Sequence, residues 1–269
     1  MEPFSSPRLG DLIFDKRRGK LTKYRLLALD LDETLLTKDK RITAESKVWI
    51  SRAIEAGVVV IFATGRGLQR VADFRKELKM DSPMVLVNGA EIWGKDRGLL
   101  SRHFISRENI HMLHRLAIEV GASFWGYSVE GLTNQKNWTE AMFHRDWMKF
   151  GIKHDDQQVI NQLKRRIQGT GTDTLEITSS SPVNLEFSFK GISKKMGVQK
   201  ICTYLGIGME DVMAIGDNLN DFKLIQAAGL GVAMGNADDR LKQVADQVTE
   251  TNEADGVAKA IQNFLVERG

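Results

Sequence analysis

From Tyr24 onward, short apolar runs alternate with stretches of helical periodicity. Residues 26–29 are continuously apolar and of strand length. Residues 44–56 repeat apolar positions at helix spacing, with Thr43 as an N-cap candidate and Gly57 as a stop. Residues 58–63 are apolar and rich in β-branched side chains, as expected of a strand covered on both faces. Leu68, Val71, Phe74 and Leu78 mark a further helix, and residues 84–87 a third short strand. This alternation predicts a parallel sheet with helices on both sides.

The pattern then changes. Residues 91–100 read as a hairpin around Gly94, Lys95 and Asp96. Ile110, Leu113, Ala117 and Val120 predict one helix, and Val159, Leu163 and Ile167 another. Residues 183–189 alternate apolar and polar, which predicts a strand with one wet face. After Lys190 the earlier rhythm returns: a helix face over 198–205, a strand over 212–215, a helix ending at 224–228, and a strand over 230–233. Val257, Ala260, Ile261 and Phe264 then mark a last helix. The fold class is therefore α/β, a Rossmann-like doubly wound parallel sheet formed by residues 1–90 and 190–269. An α+β domain is inserted at 91–189, and residues 1–22 form an N-terminal extension.

Composition narrows the function. Hydrophobic content of 42% and charged content of 27% are those of an ordinary globular chain. The net charge is +3, but residues 1–25 alone carry +4, so the rest is near neutral. No Lys/Arg stripe of a nucleic-acid footprint is visible, and no nucleic-acid partner is expected. No apolar run approaches the roughly 18 residues of a membrane helix. The N-terminus also lacks the apolar segment, roughly 7–15 residues long, of a secretory signal. The single cysteine, Cys202, shares a helix face with Val198, Ile201 and Leu205 and reads as a core residue. These features predict a cytoplasmic protein, a monomer or homodimer, without a membrane partner.

The candidate chemistry lies where the strands end, which is where open parallel sheets bind ligands. The first strand runs into Asp30-Leu31-Asp32-Glu33-Thr34, the second into Thr64-Gly65-Arg66 and the third into Asn88-Gly89. The strand over 212–215 runs into Gly216-Asp217-Asn218-Leu219-Asn220-Asp221. Each alone has an ordinary reading: a surface pair, a Thr N-cap, a turn. All of them at strand ends point to one site. Asp30, Asp32, Asp217 and Asp221 would crowd negative charge together, which a hard divalent cation such as Mg²⁺ neutralises. Thr64, nearby backbone N–H groups and Asn220 would hold phosphoryl oxygens, and a lysine is needed to complete the neutralisation. A carboxylate in line with phosphorus can act as nucleophile, and a second acid two residues on can serve the leaving oxygen and then water.

These residues resemble the haloacid dehalogenase-like phosphohydrolases of the Cof type. Asp30 to Leu35 is similar to the first motif, D-x-D-x-T, and Thr64-Gly65-Arg66 to the second. Lys190-Gly191-Ile192-Ser193-Lys194 is similar to the segment carrying the third-motif lysine. Gly216 to Asp221 is similar to the fourth, G-D-x-x-N-D. The resemblance spans about residues 24–266 and implies a core that performs the chemistry, with the inserted domain as a cap. It implies Asp30 as nucleophile and metal ligand. Asp32 is implied as general acid/base, with its backbone carbonyl a metal ligand, and Lys194 as the amine steadying Asp30 and the phosphoryl group. Thr64, Gly65, Lys194 and Asn220 would bind phosphate, and Asp217 and Asp221 the metal. Glu33 stands where glycine is usual, and it is expected to point outward. Lys190 is the other candidate for the catalytic lysine.

The implied activity is a Mg²⁺-dependent phosphatase acting through an aspartyl-phosphate on a small phosphorylated metabolite: a sugar phosphate, pyridoxal phosphate or a flavin-pathway ribityl phosphate. A phosphomutase of the same fold and a non-catalytic phosphate-binding module are the alternatives. Substrate selection would fall to cap residues, with Trp125, Trp138 and His144 as candidates, and Tyr127, Asn134, Thr139 and Trp147 beside them. His111 and His114, one helix turn apart, read as a solvated face.

Overall fold

The computed structural model describes residues 23–95, 98–169 and 173–265. The expected N-terminal extension and the hairpin tip at Asp96 lie outside the described residues. Strand β1 (Leu26–Leu29) is completely buried. It lies between β2 (Val59–Ala63) and β11 (Val212–Gly216), parallel to both. β3 (Met84–Leu86) continues the sheet beyond β2, and β12 (Leu230–Ala233) and β13 (Gln247–Val248) continue it beyond β11, all parallel. The central strands β1, β2, β3 and β11 are apolar and need cover on both faces. Helices supply it: the first, Ala44–Glu55, starts at Thr43, whose side chain accepts from the Ser46 N–H at 3.2 Å.

The hairpin of β4 (Glu91–Trp93) and β5 (Leu99–Arg102) is antiparallel and bonded to β3. It completes an eight-stranded sheet in the order β13-β12-β11-β1-β2-β3-β4-β5. The hairpin was expected within the inserted block. Pairing of Ile92 with Val85 draws it into the large sheet instead, with Ile92 fully buried in the main core.

A second, wholly antiparallel sheet contains β6 (Ser123–Ser128), β7 (Gly131–Asn134), β8 (Trp147–Lys153), β9 (Leu175–Thr178) and β10 (Asn184–Phe189), in the order β7-β6-β8-β10-β9. The helices Arg107–Glu119 and Gln157–Gly169 cover one face. There Ile110, Leu113, Ile160 and Leu163 join Phe124, Phe150, Ile152 and Phe187 in a separate apolar cluster. The other face carries a different set in register: Glu186 opposite Gly151, Gly151 opposite Trp125, and Lys149 opposite Tyr127.

That face corrects one expectation. The polar positions of β10 are not wet, since Asn184, Glu186 and Ser188 are all buried. Part of the cover comes from the large sheet's loops, where the Asn88 side-chain amide donates to Glu186 Oε2 at 3.0 Å. His114 also departs from a solvated face: it stacks on Trp138 and meets Phe124 and Phe143 edge-on. Cys202 is buried, as its spacing suggested, and burial pushes its thiol up to about 12. Among the described residues no helix is long and apolar enough to cross a membrane.

Close packing sets one test of this arrangement. Helix Lys194–Leu205 approaches β3 so nearly that a Cβ on Gly197 would lie 2.4 Å from Val85 Cγ1. Gly197→Val is expected to cost about 1–3 kcal/mol of stability, read as a lowered thermal midpoint in calorimetry. An unchanged midpoint would contradict the packing.

Candidate active site

Four chain segments meet beyond the carboxyl end of β1. The Asp30 N–H donates to the Ile215 carbonyl at 3.1 Å, so the chain keeps sheet register up to that carboxylate. Lys194 opens the helix Lys194–Leu205, which is capped by Ser193 accepting from the Met196 N–H at 3.2 Å. Its ammonium, wholly buried, lies 2.8 Å from Asp30 Oδ1 and 2.7 Å from Asp221 Oδ1. The second oxygen of Asp221 accepts from the backbone N–H groups of Asp217 and Asn218, each at 3.3 Å. Asp217 is held separately: the Thr34 hydroxyl donates to its Oδ1 at 2.7 Å. Lys190, the alternative lysine, is exposed and pairs with Asp173 at 2.8 Å, away from this cluster.

Oxygens of Asp30, Asp217 and Asp221 all lie within 4.8 Å of one another, and all three residues are buried. Two like charges about 4 Å apart repel by about 4 kcal/mol at an effective dielectric near 20, and one ammonium cannot offset three carboxylates. Burial raises the affinity of Asp30 and Asp217 for protons, and the neighbouring carboxylates add to it, although Lys194 opposes the shift. Burial alone would strip the proton from Lys194, yet Asp221 and Asp30 hold it firmly protonated. An all-oxygen, over-negative, preformed cluster of this size fits a hard divalent cation.

The neighbouring loops form a cradle. The Thr64 hydroxyl is buried and accepts from the Arg66 N–H at 3.2 Å. Gly65 sits so close to the cap that a Cβ there would lie 3.1 Å from Asn88 Oδ1 and 3.5 Å from Lys149 Nζ. Val87, Asn88 and Gly89 all have positive φ (51°, 56° and 99°). For a β-branched residue this is strained. The strain is held by Val87 N–H donating to the Arg66 carbonyl at 3.0 Å and Asn88 N–H to the Thr64 carbonyl at 2.9 Å. Asn220 donates to Asn88 Oδ1 at 3.3 Å, and its own buried Oδ1 has no hydrogen-bond partner.

Asp32 stands apart from the buried triad. Arg66 binds its carboxylate through two hydrogen bonds, Nε at 2.8 Å and Nη2 at 2.7 Å, and Lys40 lies 2.9 Å away. Burial raises Asp32, but these bonds outweigh it and hold the carboxyl well below its usual range. Its expected metal contact runs through the backbone carbonyl, on which this pairing has no bearing. Glu33 adopts φ 59°, the left-handed region that glycine would favour, and turns to Lys40 at 3.4 Å rather than to the triad. Arg66, Lys40 and Thr34 were not singled out as site residues. Arg66 and Thr34 lie inside the quoted motifs; nothing in the sequence marked Lys40.

Comparison with known proteins agrees with this geometry. The haloacid dehalogenase-like hydrolase family profile matches residues 27–261. The chain belongs to that family. The 5-amino-6-(5-phospho-D-ribitylamino)uracil phosphatase YcsE of Bacillus subtilis is 38% identical over 242 residues, covering 90% of this chain and 96% of that protein. The pyridoxal phosphate phosphatase YbhA of Escherichia coli is 29% identical over 272 residues, covering 90% and 99%. Among solved structures, a haloacid dehalogenase-like hydrolase from B. subtilis superposes with a TM-score of 0.81 at 22% identity, covering 90% of this chain and all of that one.

In this family member a cavity of about 390 Å³ lies between the cap and the strand-end loops, with Asp30 and Asp217 in its wall. Trp125 and Tyr127 line it, together with Lys149, Glu186 and Ser180. Trp138 and His144 do not. Trp138 packs in the cap's own core, stacked on Trp147 at 4.7 Å, and His144 is exposed at the end of a 3-10 helix. Trp147 is likewise a core residue, and Asn134 and Thr139 are exposed outside the cavity. Lys149 and Glu186 were missed because a strand's polar positions look like solvent contacts until the facing surface is known.

The Thr34–Asp217 bond and the triad yield a cation-binding test. Removing an outer hydrogen-bond partner typically weakens a metal site by about 10–100-fold. Thr34→Val is expected to fall in that range for Mg²⁺ by titration calorimetry, and Asp217→Asn to lose more. Equal affinity in all three proteins would exclude a cation from this cluster.

Proposed function

We propose that this protein is a Mg²⁺-dependent phosphatase of small phosphomonoesters, and that 5-amino-6-(5-phospho-D-ribitylamino)uracil is the foremost candidate substrate. The observation carrying the reading is the wholly buried Lys194 between Asp30 and Asp221, set beneath a cavity with Asp217 and Thr64 at its floor. The substrate choice follows from the 38% identity to YcsE over nearly the whole chain.

In this reading Asp30, Asp217, Asp221 and the Asp32 carbonyl would hold the cation, which supplies charge neutralisation for an incoming phosphate. Thr64, the Gly65 region and Lys194 grip the phosphoryl oxygens. Asp30 attacks phosphorus, and the bond to the leaving oxygen breaks as Asp32 delivers a proton to it. Water then attacks the aspartyl-phosphate, Asp32 takes its proton, and inorganic phosphate leaves with Asp30 restored. Arg66 aims the Asp32 carboxylate and favours its ionised form, which suits the water-activating half of the cycle. Protonation for the first half requires that grip to loosen.

Phosphate release from a phosphometabolite panel tests the proposal. Wild type should require Mg²⁺ and stop with EDTA, Asp30→Asn should lose about a thousandfold or more in kcat, and Asp32→Asn about 10²–10⁴-fold. Phosphorus NMR should show inorganic phosphate as the sole new product. A bisphosphate or an isomerised monoester would instead indicate phosphoryl transfer within the substrate, and equal rates in Asp30→Asn would end the reading.

A further inference from the structure

The cap's inner face holds features that the hydrolytic mechanism does not use. Lys149 and Glu186, each with a side chain 9% exposed, form an ion pair at 3.2 Å on the wall of the cavity. Burying such a pair costs free energy that apolar residues would avoid, so its presence calls for a role. Both oxygens of Glu186 are engaged: Oε2 accepts from Asn88 and Lys149, and Oε1 from Ser180. Lys149 has a donor to spare. It donates to Glu186 and to the Gly65 carbonyl at 3.1 Å, which leaves one of its three N–H groups without an acceptor among the described residues, beside the cradle. In the adjacent register row lies Trp125. A Cβ on Gly151 would fall 2.1 Å from the indole, so the bare glycine lets the ring lie across β8. Trp125 is half-buried and lines the cavity, and no ring of the aromatic cluster around Trp138 stacks on it.

We propose that these two features read the leaving group: Lys149, fixed by Glu186, donates a hydrogen bond to a hydroxyl of the carbon chain next to the phosphoryl group, and Trp125, seated on Gly151, stacks on a planar ring farther along that chain. The substrate class is then a phosphorylated polyol chain ending in a planar heterocycle. This rests on the phosphatase reading above and adds which residues choose the ester. Polyol oxygens match a lone ammonium donor, and an indole face takes a flat ring. The Lys149–Gly65 bond also places the reader directly against the phosphate cradle.

Three probes separate the two elements in the full-length protein with Mg²⁺: 5-amino-6-(5-phospho-D-ribitylamino)uracil has chain and ring, ribitol 5-phosphate chain only, and pyridoxal phosphate ring without chain. Wild type should favour the first in kcat/KM. Trp125→Ala should lower the ratio of the first probe to ribitol 5-phosphate by about tenfold, the usual scale of a lost stacking platform. Lys149→Met should lower the ratio of ribitol 5-phosphate to pyridoxal phosphate by about tenfold. Ratios taken within one protein cancel any loss of folded material, and Lys149→Gln serves if the methionine variant is insoluble. Equal falls for all probes would show that these residues only brace the cap and would overturn the proposal. So would a wild type that ignores all three probes but hydrolyses other phosphomonoesters, an outcome that leaves the phosphatase reading intact. A wild type inert toward every phosphomonoester would defeat that reading instead.

Discussion

The Lys194 ammonium is wholly buried, and the surrounding chain is arranged to keep it charged. Lys194 touches Asp30 from the end of β1 and Asp221 from the loop after β11, two neighbouring parallel strands of one sheet. Burial of an unpaired lysine would cost several kcal/mol. The positions of the two strand ends and of the helix that begins at Lys194 are therefore linked: displacing one strands a charge. The same pairing leaves the site over-negative by two carboxylates' worth of charge, which is the electrostatic demand a divalent cation meets.

The cap answers a different constraint. One face of its sheet is apolar and buried under two helices. On the other, Lys149 and Glu186 are buried where loops of the large sheet reach them. Hydrogen bonds cross between the two sheets from Lys149 to Gly65, from Asn88 to Glu186 and from Asn218 to the Ser180 carbonyl. Each joins a cap residue to a loop following a strand of the large sheet. Cap and cradle thus share one polar network, and it frames the cavity between them.

Much of this was legible beforehand, for identifiable reasons. The parallel strands were readable because a strand covered on both faces must be apolar throughout, as residues 26–29 and 58–63 are. Asp30, Thr64, Asn88 and Asp217 were findable because each follows such a run, where the sheet can no longer bury side chains in hydrocarbon. Lys194 came from motif resemblance, since a lysine beginning a helix otherwise looks like a surface residue. Trp138 and His144 were placed among the selectors on residue type alone, and type does not say which face of a sheet or helix a ring occupies. The hairpin read over 91–100 falls in the large sheet and not in the inserted block, because hairpin signals are local while the choice of edge to pair with is not.

The sequence by itself determined the order of elements, the acids and small polar residues at the strand ends and the family to which they belong, because periodicity and short motifs are properties of neighbouring residues. Only the tertiary structure decided that Arg66 and Lys40 hold Asp32, that the polar positions of β10 are buried, and that Lys149, Glu186 and Trp125 share a wall above the cradle. Those facts depend on which surface lies opposite each side chain, and burial and charge pairing are set by partners 84 or 98 residues away as readily as by the next turn.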